Sequence, residues 1–222
     1  ESAMYKIQTL NKIAACGLDR LPRDNYESAT EIVNPDGILL RSADMHSMDI
    51  PASVKAIARA GAGVNNIPLD KCTERGIVVF NTPGANANGV KEIVIAALLM
   101  SSRNLYEGVT WTNSLKGKGA DVPALVEKGK SQFVGPEIQG KTLGVIGLGA
   151  IGVLVANAAS ALGMKVMGYD PFVSVDAAWK LSHNVSKCTS LDTLIAECDY
   201  ITIHVPVNKD TKNLFNEERI GS

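Results

Sequence analysis

Apolar runs alternate with helical patterns along the first third of the chain. These runs predict strands at residues 5–10, 37–40, 54–58 and 77–80, with a short helix at 68–75. Strands that alternate with helices are typical of a parallel sheet. We therefore predict a small parallel α/β domain over residues 4–85.

A long apolar helix is predicted over residues 90–105. Ile, Val, Ala and Leu occupy every side of it, and a helix that is apolar all round has to be buried. We expect it between two domains or at a subunit interface. Residues 108–140 have a weaker pattern, with a short helix at 123–128. They form either an arm around a partner subunit or a solvated loop, and the sequence alone favours the loop.

The most regular pattern follows residue 142. An apolar run at 143–146 leads into three spaced glycines, an apolar helix occupies 150–162, and a second strand at 165–169 ends at Asp170. This order of strand, glycine turn, helix, strand and acid is typical of a dinucleotide-binding unit. A βαβ unit that binds nothing is the alternative.

The three glycines, Gly147, Gly149 and Gly152, each have a separate task in such a unit. The first permits a tight turn, the second lets the backbone approach a pyrophosphate, and the third lets the helix pack closely on the strand. The free N–H groups at the start of the helix then face the anion.

Asp170 lies 18 residues after Gly152, close to the spacing expected for an acid that binds the adenosine ribose. A carboxylate accepts hydrogen bonds from ribose hydroxyls and repels a 2′-phosphate. The next residues, Pro171-Phe172-Val173, supply no cation to hold that phosphate. NAD is therefore favoured over NADP. Alternatively, Asp170 only begins a turn with Pro171, which is compatible with both cofactors.

The last elements are a helix at 190–198, with Ser190 as its N-cap, and a strand at 200–205 that ends at Pro206. We interpret this strand as the third of the nucleotide unit. The loop after it begins at the carboxyl edge of the sheet, where ligands bind in open α/β folds.

Composition excludes several classes of function. The net charge of −1 over 222 residues gives no basic field for nucleic acid or an acidic membrane surface, and no apolar run is long enough to span a bilayer. The four cysteines show no C-x-x-C spacing, so we expect small buried thiols in a reducing cytoplasm rather than disulfides or zinc ligands. The histidines are not at metal-ligand spacing either, and no metal is expected.

Several segments together resemble the D-isomer-specific 2-hydroxyacid dehydrogenases: Arg41-Ser42, 59–66, 81–84, Glu92, 147–152, 169–171 and 204–206. The resemblance covers residues 5–220 and implies two parallel-sheet domains, a flavodoxin-like substrate domain over 4–85 and an incomplete Rossmann NAD-binding domain over 86–222. It also implies NAD-dependent oxidation of the 2-hydroxyl of a short hydroxy acid, most closely in the branch that converts 3-phosphoglycerate to 3-phosphohydroxypyruvate. Homodimers are common in this family, and residues 86–140 would serve as linking helix and dimerisation arm.

Site residues follow from the resemblance by position. The cofactor would contact the glycine turn with Ala150 and Ile151 at the pyrophosphate, Asp170 at the ribose, and Val205 and Pro206 on the adenine side. The substrate would contact Arg41, Ser42, Ala62, Gly63 and, more weakly, Lys91. Arg41 suits a phosphate because a guanidinium forms a bidentate fork. It is equally compatible with a surface ion pair at a strand end.

The chain departs from the family in lacking the expected catalytic Arg, Glu and His, which we expect beyond Ser222. None of His46, His183 and His204 matches the catalytic position, and we expect His204 to be packed and hydrogen-bonded. The chain alone is thus expected to be inactive, with the edge of its first nucleotide-unit strand left open because strand four is missing. Residues 1–3 resemble a cloning remnant before a natural start at Met4.

Two alternatives remain open. Within the enzyme class, the chain could belong to a reductase of glyoxylate or hydroxypyruvate or to a D-lactate dehydrogenase. Outside it, the chain could be a non-catalytic NAD-sensing scaffold of the kind found in transcriptional corepressors, or an inert fragment.

Overall fold

Two compact units make up the computed structural model, which describes residues 4–221. The first unit ends at Asn86 and the second begins at Ala87. The expected cloning remnant at residues 1–3 and the terminal Ser222 lie outside the described residues. Each unit contains one sheet, and every strand pairing in both sheets is parallel.

The first unit is a five-stranded sheet in the order β2-β1-β3-β4-β5. Its elements are β1 (Tyr5–Leu10), α1 (Ala15–Leu18), β2 (Tyr26–Ala29), β3 (Gly37–Leu40), β4 (Ala56–Arg59), α2 (Leu69–Glu74) and β5 (Val78–Phe80). The central strands are apolar on both faces, and Ile38, Leu40 and Ile57 are fully buried. The strand order is that of flavodoxin-like sheets, which confirms the predicted fold class.

Two details of this unit differ from the prediction. The edge strand β2 was not expected, because its exposed Glu27 and Ser28 leave little apolar pattern. Strand β4 begins at Ala56 rather than at residue 54. Val54 is buried, but its N–H donates to the carbonyl of Pro51 in a turn. An apolar residue that is buried in a turn was therefore assigned to the strand.

The second unit contains a four-stranded sheet in the order β8-β7-β6-β9. Its elements are α3 (Ala87–Arg103), α4 (Leu105–Ser114), α5 (Val122–Gly129), β6 (Thr142–Ile146), α6 (Ala150–Ala161), β7 (Lys165–Tyr169), α7 (Val175–Lys180), β8 (Val185–Lys187), α8 (Leu191–Glu197), β9 (Tyr200–Ile203) and α9 (Glu217–Ile220), with 3-10 turns at Gly119–Asp121 and Lys130–Phe133. Leu143, Val145 and Val155 are fully buried where α6 packs on the sheet.

The predicted open strand edge is wrong. Strand β9 pairs with β6 from Leu143↔Tyr200 to Ile146↔Ile203, so it is the fourth strand of the nucleotide unit rather than the third. The third is β8, a three-residue strand that pairs with β7. Its sequence, Val-Ser-Lys, is too short and too polar to show an apolar run.

Residues 108–140 are mostly helical, so the prediction of a loop is wrong, although most of these residues are exposed as predicted. The side chains of Trp111 and Phe133 pack with ring centroids 5.1 Å apart, which joins α4 to the turn after α5. A Cβ at Gly129 would lie 2.3 Å from the Trp111 ring, so the indole fills the space that this glycine leaves. Sequence periodicity missed this packing because the segment is short and rich in Lys and Gly.

The long helix begins three residues earlier and ends two residues earlier than predicted, and one of its faces is exposed within this chain. It ends at Arg103, because Asn104 adopts a left-handed conformation with φ of 48°. Val94 and Leu98 pack on the core of the second unit. On another face Ile93 and Met100 are 71% and 46% exposed, so the helix is not buried all round within this chain.

Candidate functional site

The glycine turn lies between β6 and α6, at the carboxyl end of the second sheet. Gly147 has φ of +89°, a conformation that side chains rarely adopt. A Cβ at Gly147 would also lie 2.8 Å from both the carbonyl oxygen of His204 and the Cγ1 of Val205. This first glycine is therefore required by the fold itself.

The other two glycines differ sharply in what surrounds them. A Cβ at Gly152 would lie 1.9 Å from the carbonyl oxygen of Gly147, so only glycine lets α6 approach the turn. A Cβ at Gly149 would meet no atom of the described residues within 4 Å. Gly149 has φ of −80°, which any residue adopts. Packing within the protein thus accounts for Gly152 but leaves Gly149 facing open space.

The start of α6 offers unpaired backbone donors to that space. The first i→i−4 hydrogen bond of the helix runs from the N–H of Val153 to the carbonyl of Gly149. The N–H groups of Ala150, Ile151 and Gly152 precede it and therefore have no acceptor within the helix. In residues 4–221 no side chain caps the helix at Gly149, and its first turn has no acidic residue. A diphosphate fits this position, because an anion at a helix N-terminus meets both the amides and the positive end of the dipole.

Asp170 follows β7 and faces the same turn. Its Oδ2 accepts a hydrogen bond of 2.8 Å from the N–H of Leu148, and its Oδ1 accepts one of 2.8 Å from the N–H of Phe172. These two bonds hold the carboxylate in place next to the glycine turn. Each carboxylate oxygen keeps a further lone pair, which suits it to accept hydrogen bonds from ribose hydroxyls.

Val205 and Pro206 leave the sheet beside the turn. The N–H of His204 donates to the carbonyl of Ile146 at 2.7 Å, which continues the pairing of β9 with β6 to the edge. The Nε2 of His204 lies 2.9 Å from the Oγ1 of Thr202, and burial lowers the pKa of this histidine. His204 is packed and hydrogen-bonded, as the sequence predicted. All the predicted cofactor residues thus gather at one sheet edge.

In the first unit, Asn11 organises the predicted substrate residues after β3. It follows β1 with φ of 73°, and its Oδ1 accepts hydrogen bonds from the N–H groups of Arg41, Ser42 and Ala43 at 3.3, 3.0 and 2.7 Å. The backbone of the Arg41–Ser42 turn is therefore fixed by a side chain from the neighbouring strand end.

Arg59 joins this turn to the loop after β4. Its Nε donates to the carbonyl of Arg41 at 2.9 Å, and its guanidinium also donates to the carbonyl of Gly63. Asn81, after β5, donates to the carbonyl of Ala62 at 2.7 Å. Arg41, Ser42, Ala62 and Gly63 thus lie at one edge of the first sheet. Lys91 lies in α3 of the second unit.

The sequence did not identify the side chains of Asn11, Arg59 and Asn81 as functional residues. Asn66 belongs to the same hydrogen-bond network, because its Nδ2 donates to the carbonyls of Arg41 and Ala43 at 3.2 and 2.7 Å. The available signal was position: Asn11, Arg59 and Asn81 each stand at the carboxyl end of a predicted strand, where polar side chains meet.

The thiols are free and only partly match the prediction of small buried groups. Cys72 and Cys188 are buried, but Cys16 is exposed. Burial raises the pKa of the Cys198 thiol to about 11. Within residues 4–221, no three metal-binding side chains come together, and no helix is both long and apolar enough to cross a bilayer.

The family is decided by the second unit. A model of the D-isomer specific 2-hydroxyacid dehydrogenase NAD-binding domain matches residues 95–222, which is more than half of the chain. The chain belongs to the D-isomer-specific 2-hydroxyacid dehydrogenase family. This confirms the resemblance found in the sequence. The matched domain is an NAD-binding one, which confirms the predicted cofactor.

Relatives and solved structures agree with this family. D-3-phosphoglycerate dehydrogenases of Synechocystis and Archaeoglobus fulgidus are 37% and 38% identical over 84% and 86% of the chain, covering 32% and 34% of their own lengths. The chain therefore spans about a third of these relatives. An NAD+-bound 3-phosphoglycerate dehydrogenase of Entamoeba histolytica matches 99% of this chain and 68% of its own, with a TM-score of 0.71 and 28% identity. A D-lactate dehydrogenase of Aquifex aeolicus, complexed with NAD and lactic acid, matches 97% of this chain and 65% of its own, with a TM-score of 0.73 and 27% identity.

Proposed function

We propose that this protein acts as an NAD-dependent dehydrogenase of a D-2-hydroxy acid, converting 3-phosphoglycerate to 3-phosphohydroxypyruvate at the first step of serine synthesis. The observation that carries the proposal is the open space at Gly149 in front of an uncapped helix start, with Asp170 fixed beside it. The names of the similar phosphoglycerate dehydrogenases support the choice of substrate. A cytoplasmic location stays a prediction from cysteine usage.

The second unit would hold the cofactor. The amides of Ala150 and Ile151 would bind its diphosphate, Asp170 its adenosine ribose, and Val205 and Pro206 would flank the adenine. The bound nicotinamide supplies the acceptor for the hydride that leaves C2 of the substrate. The carboxylate of Asp170 would disfavour a 2′-phosphate, so NAD would be preferred to NADP.

The first unit would orient the substrate. Hydrogen bonds with Asn11 and Arg59 hold the backbone of Arg41 and Ser42 in place. The guanidinium of Arg41 would then bind an anionic group of the substrate. The amides of Ala62 and Gly63 would bind the substrate carboxylate. Lys91 stays a weaker prediction from the family resemblance. Oxidation also needs a group that takes the hydroxyl proton. His46 and His204 are engaged elsewhere, with Asn65 and Thr202, so neither is proposed as that group.

We also propose that two copies associate through α3 and α4. Ile93, Ala96, Ala97 and Met100 are exposed and lie at helical spacing, so they form one apolar stripe. Leu105, Tyr106 and Val109 continue the exposed apolar surface onto α4. A contiguous apolar surface of this kind is typical of a protein–protein interface.

Calorimetric titration of the purified chain tests the cofactor half of the proposal. NAD is expected to bind, although weakly, and NADP to bind more weakly still; equal affinities for the two cofactors would contradict the role of Asp170. Assay of the complete protein against 3-phosphoglycerate, D-lactate, glyoxylate and hydroxypyruvate tests the substrate. Absence of NAD-dependent turnover with 3-phosphoglycerate, beside turnover of another acid, would overturn the substrate assignment.

A further inference from the structure

A glycine lies in the interior of β7, on the face of the second sheet that α6 covers. Gly168 pairs with Val145 of β6 on one side and with Lys187 of β8 on the other. Its carbonyl also accepts a hydrogen bond of 2.8 Å from the N–H of Cys188. The backbone of Gly168 is therefore held from both sides. Glycine weakens the interior of a strand, and at such a position it often marks a close approach by another part of the chain.

The residue that approaches is Leu148, which lies between the first two glycines of the turn. A Cβ at Gly168 would lie 2.9 Å from the Cδ1 of Leu148, 3.2 Å from its Cδ2 and 3.5 Å from its Cγ. Leu148 is only 6% exposed and belongs to the core cluster that also contains the buried face of α6. Its side chain therefore fills the space that Gly168 leaves, and the surrounding core gives it little room to rotate away.

The backbone of the same leucine holds Asp170. The N–H of Leu148 donates to the Oδ2 of Asp170 at 2.8 Å, and the preceding N–H, that of Gly147, donates to the carbonyl of Tyr169 at 2.9 Å. Leu148 thus joins a side chain seated on β7 to a backbone donor that orients the carboxylate at the end of β7. If the side chain is pushed out of its seat, the N–H moves relative to the carboxylate.

We propose that Leu148 and Gly168 form a positioning pair that orients the Asp170 carboxylate toward the adenosine ribose. The inference deepens the proposed function and rests on the role given there to Asp170. The pair acts through the turn: the contact with Gly168 sets the position of the Leu148 N–H, and this N–H sets the position of Oδ2. A carboxylate in that position accepts hydrogen bonds from ribose hydroxyls and repels a 2′-phosphate, so the pair contributes to the preference for NAD over NADP.

Moving one carbon atom from position 148 to position 168 tests the pair. Gly168→Ala adds a carbon atom to the contact and Leu148→Val removes one, so the double variant keeps the total volume. Each single variant is expected to lower the ratio of NAD to NADP affinity about three- to tenfold in calorimetric titrations, the effect of weakening one charge-assisted hydrogen bond. The double variant is expected to return the ratio to within about twofold of the wild type, because residues in contact do not contribute independently.

Gly144→Ala is the matched control, because it adds the same methyl group to the same sheet on the opposite face. Its Cβ would lie 2.4 Å from the Cδ2 of Leu194, so its melting temperature should fall at least as far as that of Gly168→Ala. Its ratio of NAD to NADP affinity should equal that of the wild type. An equal fall of the ratio in Gly144→Ala and Gly168→Ala would mean that the loss follows general destabilisation, which would overturn the pair.

The amide signal of Leu148 reports the same hydrogen bond without any cofactor. A bond to a carboxylate deshields the amide proton, so the signal should move upfield in each single variant and return toward its wild-type position in the double variant. A signal that stays in place in both single variants would overturn the pair. So would a double variant in which the two losses of cofactor preference add instead of cancelling.

The titrations separate the pair from the proposed function on which it rests. A wild type that binds NAD and NADP equally would overturn the role of Asp170 and the pair with it. A wild type that prefers NAD, beside single variants with the same preference, would overturn the pair alone. If Gly168→Ala does not fold, Leu148→Val still has to lower the ratio, and an unchanged ratio in that variant contradicts the proposal.

Discussion

Adding one carbon atom at Gly149 and at Gly152 is expected to have opposite consequences. In Gly152→Ala the new Cβ would lie 1.9 Å from the Gly147 carbonyl oxygen, so backbone has to move. Overpacking of this kind costs about 3 kcal/mol, or a fall in melting temperature of roughly 10 °C. In Gly149→Ala no described atom lies within 4 Å of the new Cβ. Its stability should stay within about 1 kcal/mol of the wild type.

The same methyl group at Gly149 would occupy the space proposed for the cofactor diphosphate. Losing one or two charge-assisted bonds to backbone amides costs about 1.5–3 kcal/mol, which is roughly a ten- to hundredfold loss of NAD affinity. Both tryptophans of the chain, Trp111 and Trp179, lie in the second unit, so their fluorescence reports its melting. Calorimetry reports NAD binding. The reasoning is refuted if Gly149→Ala binds NAD as the wild type does, or if it melts as early as Gly152→Ala.

Three further outcomes are expected. Asp170→Ala should weaken NAD binding about tenfold in calorimetric titrations and reduce the difference in affinity between NAD and NADP. An unchanged difference in affinity would argue against a ribose-binding role for Asp170. Burial lowers the pKa of His204 below its usual value of 6.5, so the unfolded state takes up this proton first and stability falls as the pH drops below that value. The urea midpoint from tryptophan fluorescence should therefore be lower at pH 5.5 than at pH 7.5, and His204→Asn should reduce this difference. Equal midpoints of the wild type at the two pH values would contradict a contribution of His204 to the pH dependence of stability. Ile93→Glu should convert a dimer to a monomer in light scattering, whereas a wild type that is already monomeric would contradict the proposed interface.

The glycine turn and Asp170 could be predicted well because their signals are local. Gly147, Gly152 and Asp170 each answer a constraint that acts within a few residues or across one strand pair, and the structure shows the corresponding close approaches and hydrogen bonds. Ser190 likewise caps α8, with its Oγ accepting from the N–H of Thr193 at 3.3 Å. Local geometry of this kind can be predicted from residue types and their spacing.

The order of the strands was harder to predict because β8 has almost no apolar signal. Val185–Lys187 is held by pairing with β7, a neighbour that supplies the apolar face instead. Because β8 was missed, β9 was placed one position too early in the predicted strand order. Tyr200–Ile203 then seemed to be the third strand, although it is the fourth and covers the edge of β6.

The network in the first unit could not be predicted because its bonds join residues far apart in the chain. Asn11 reaches the N–H groups of residues 41–43, and Asn66 reaches the carbonyls of Arg41 and Ala43. Nothing in the local pattern of either asparagine identifies its partner. The exposure of Ile93 was unpredictable for a related reason, since an apolar helix face does not reveal whether its own chain or a second one covers it.

The central claim is that the amides opening α6 bind the diphosphate of NAD, and backbone NMR of the chain tests it most directly. Titration with NAD should shift the amide signals of Ala150, Ile151 and Gly152 together, and the shifts at all three should be lost in Gly149→Ala. Shifts that spare these three amides, or that persist unchanged in the variant, would contradict the account.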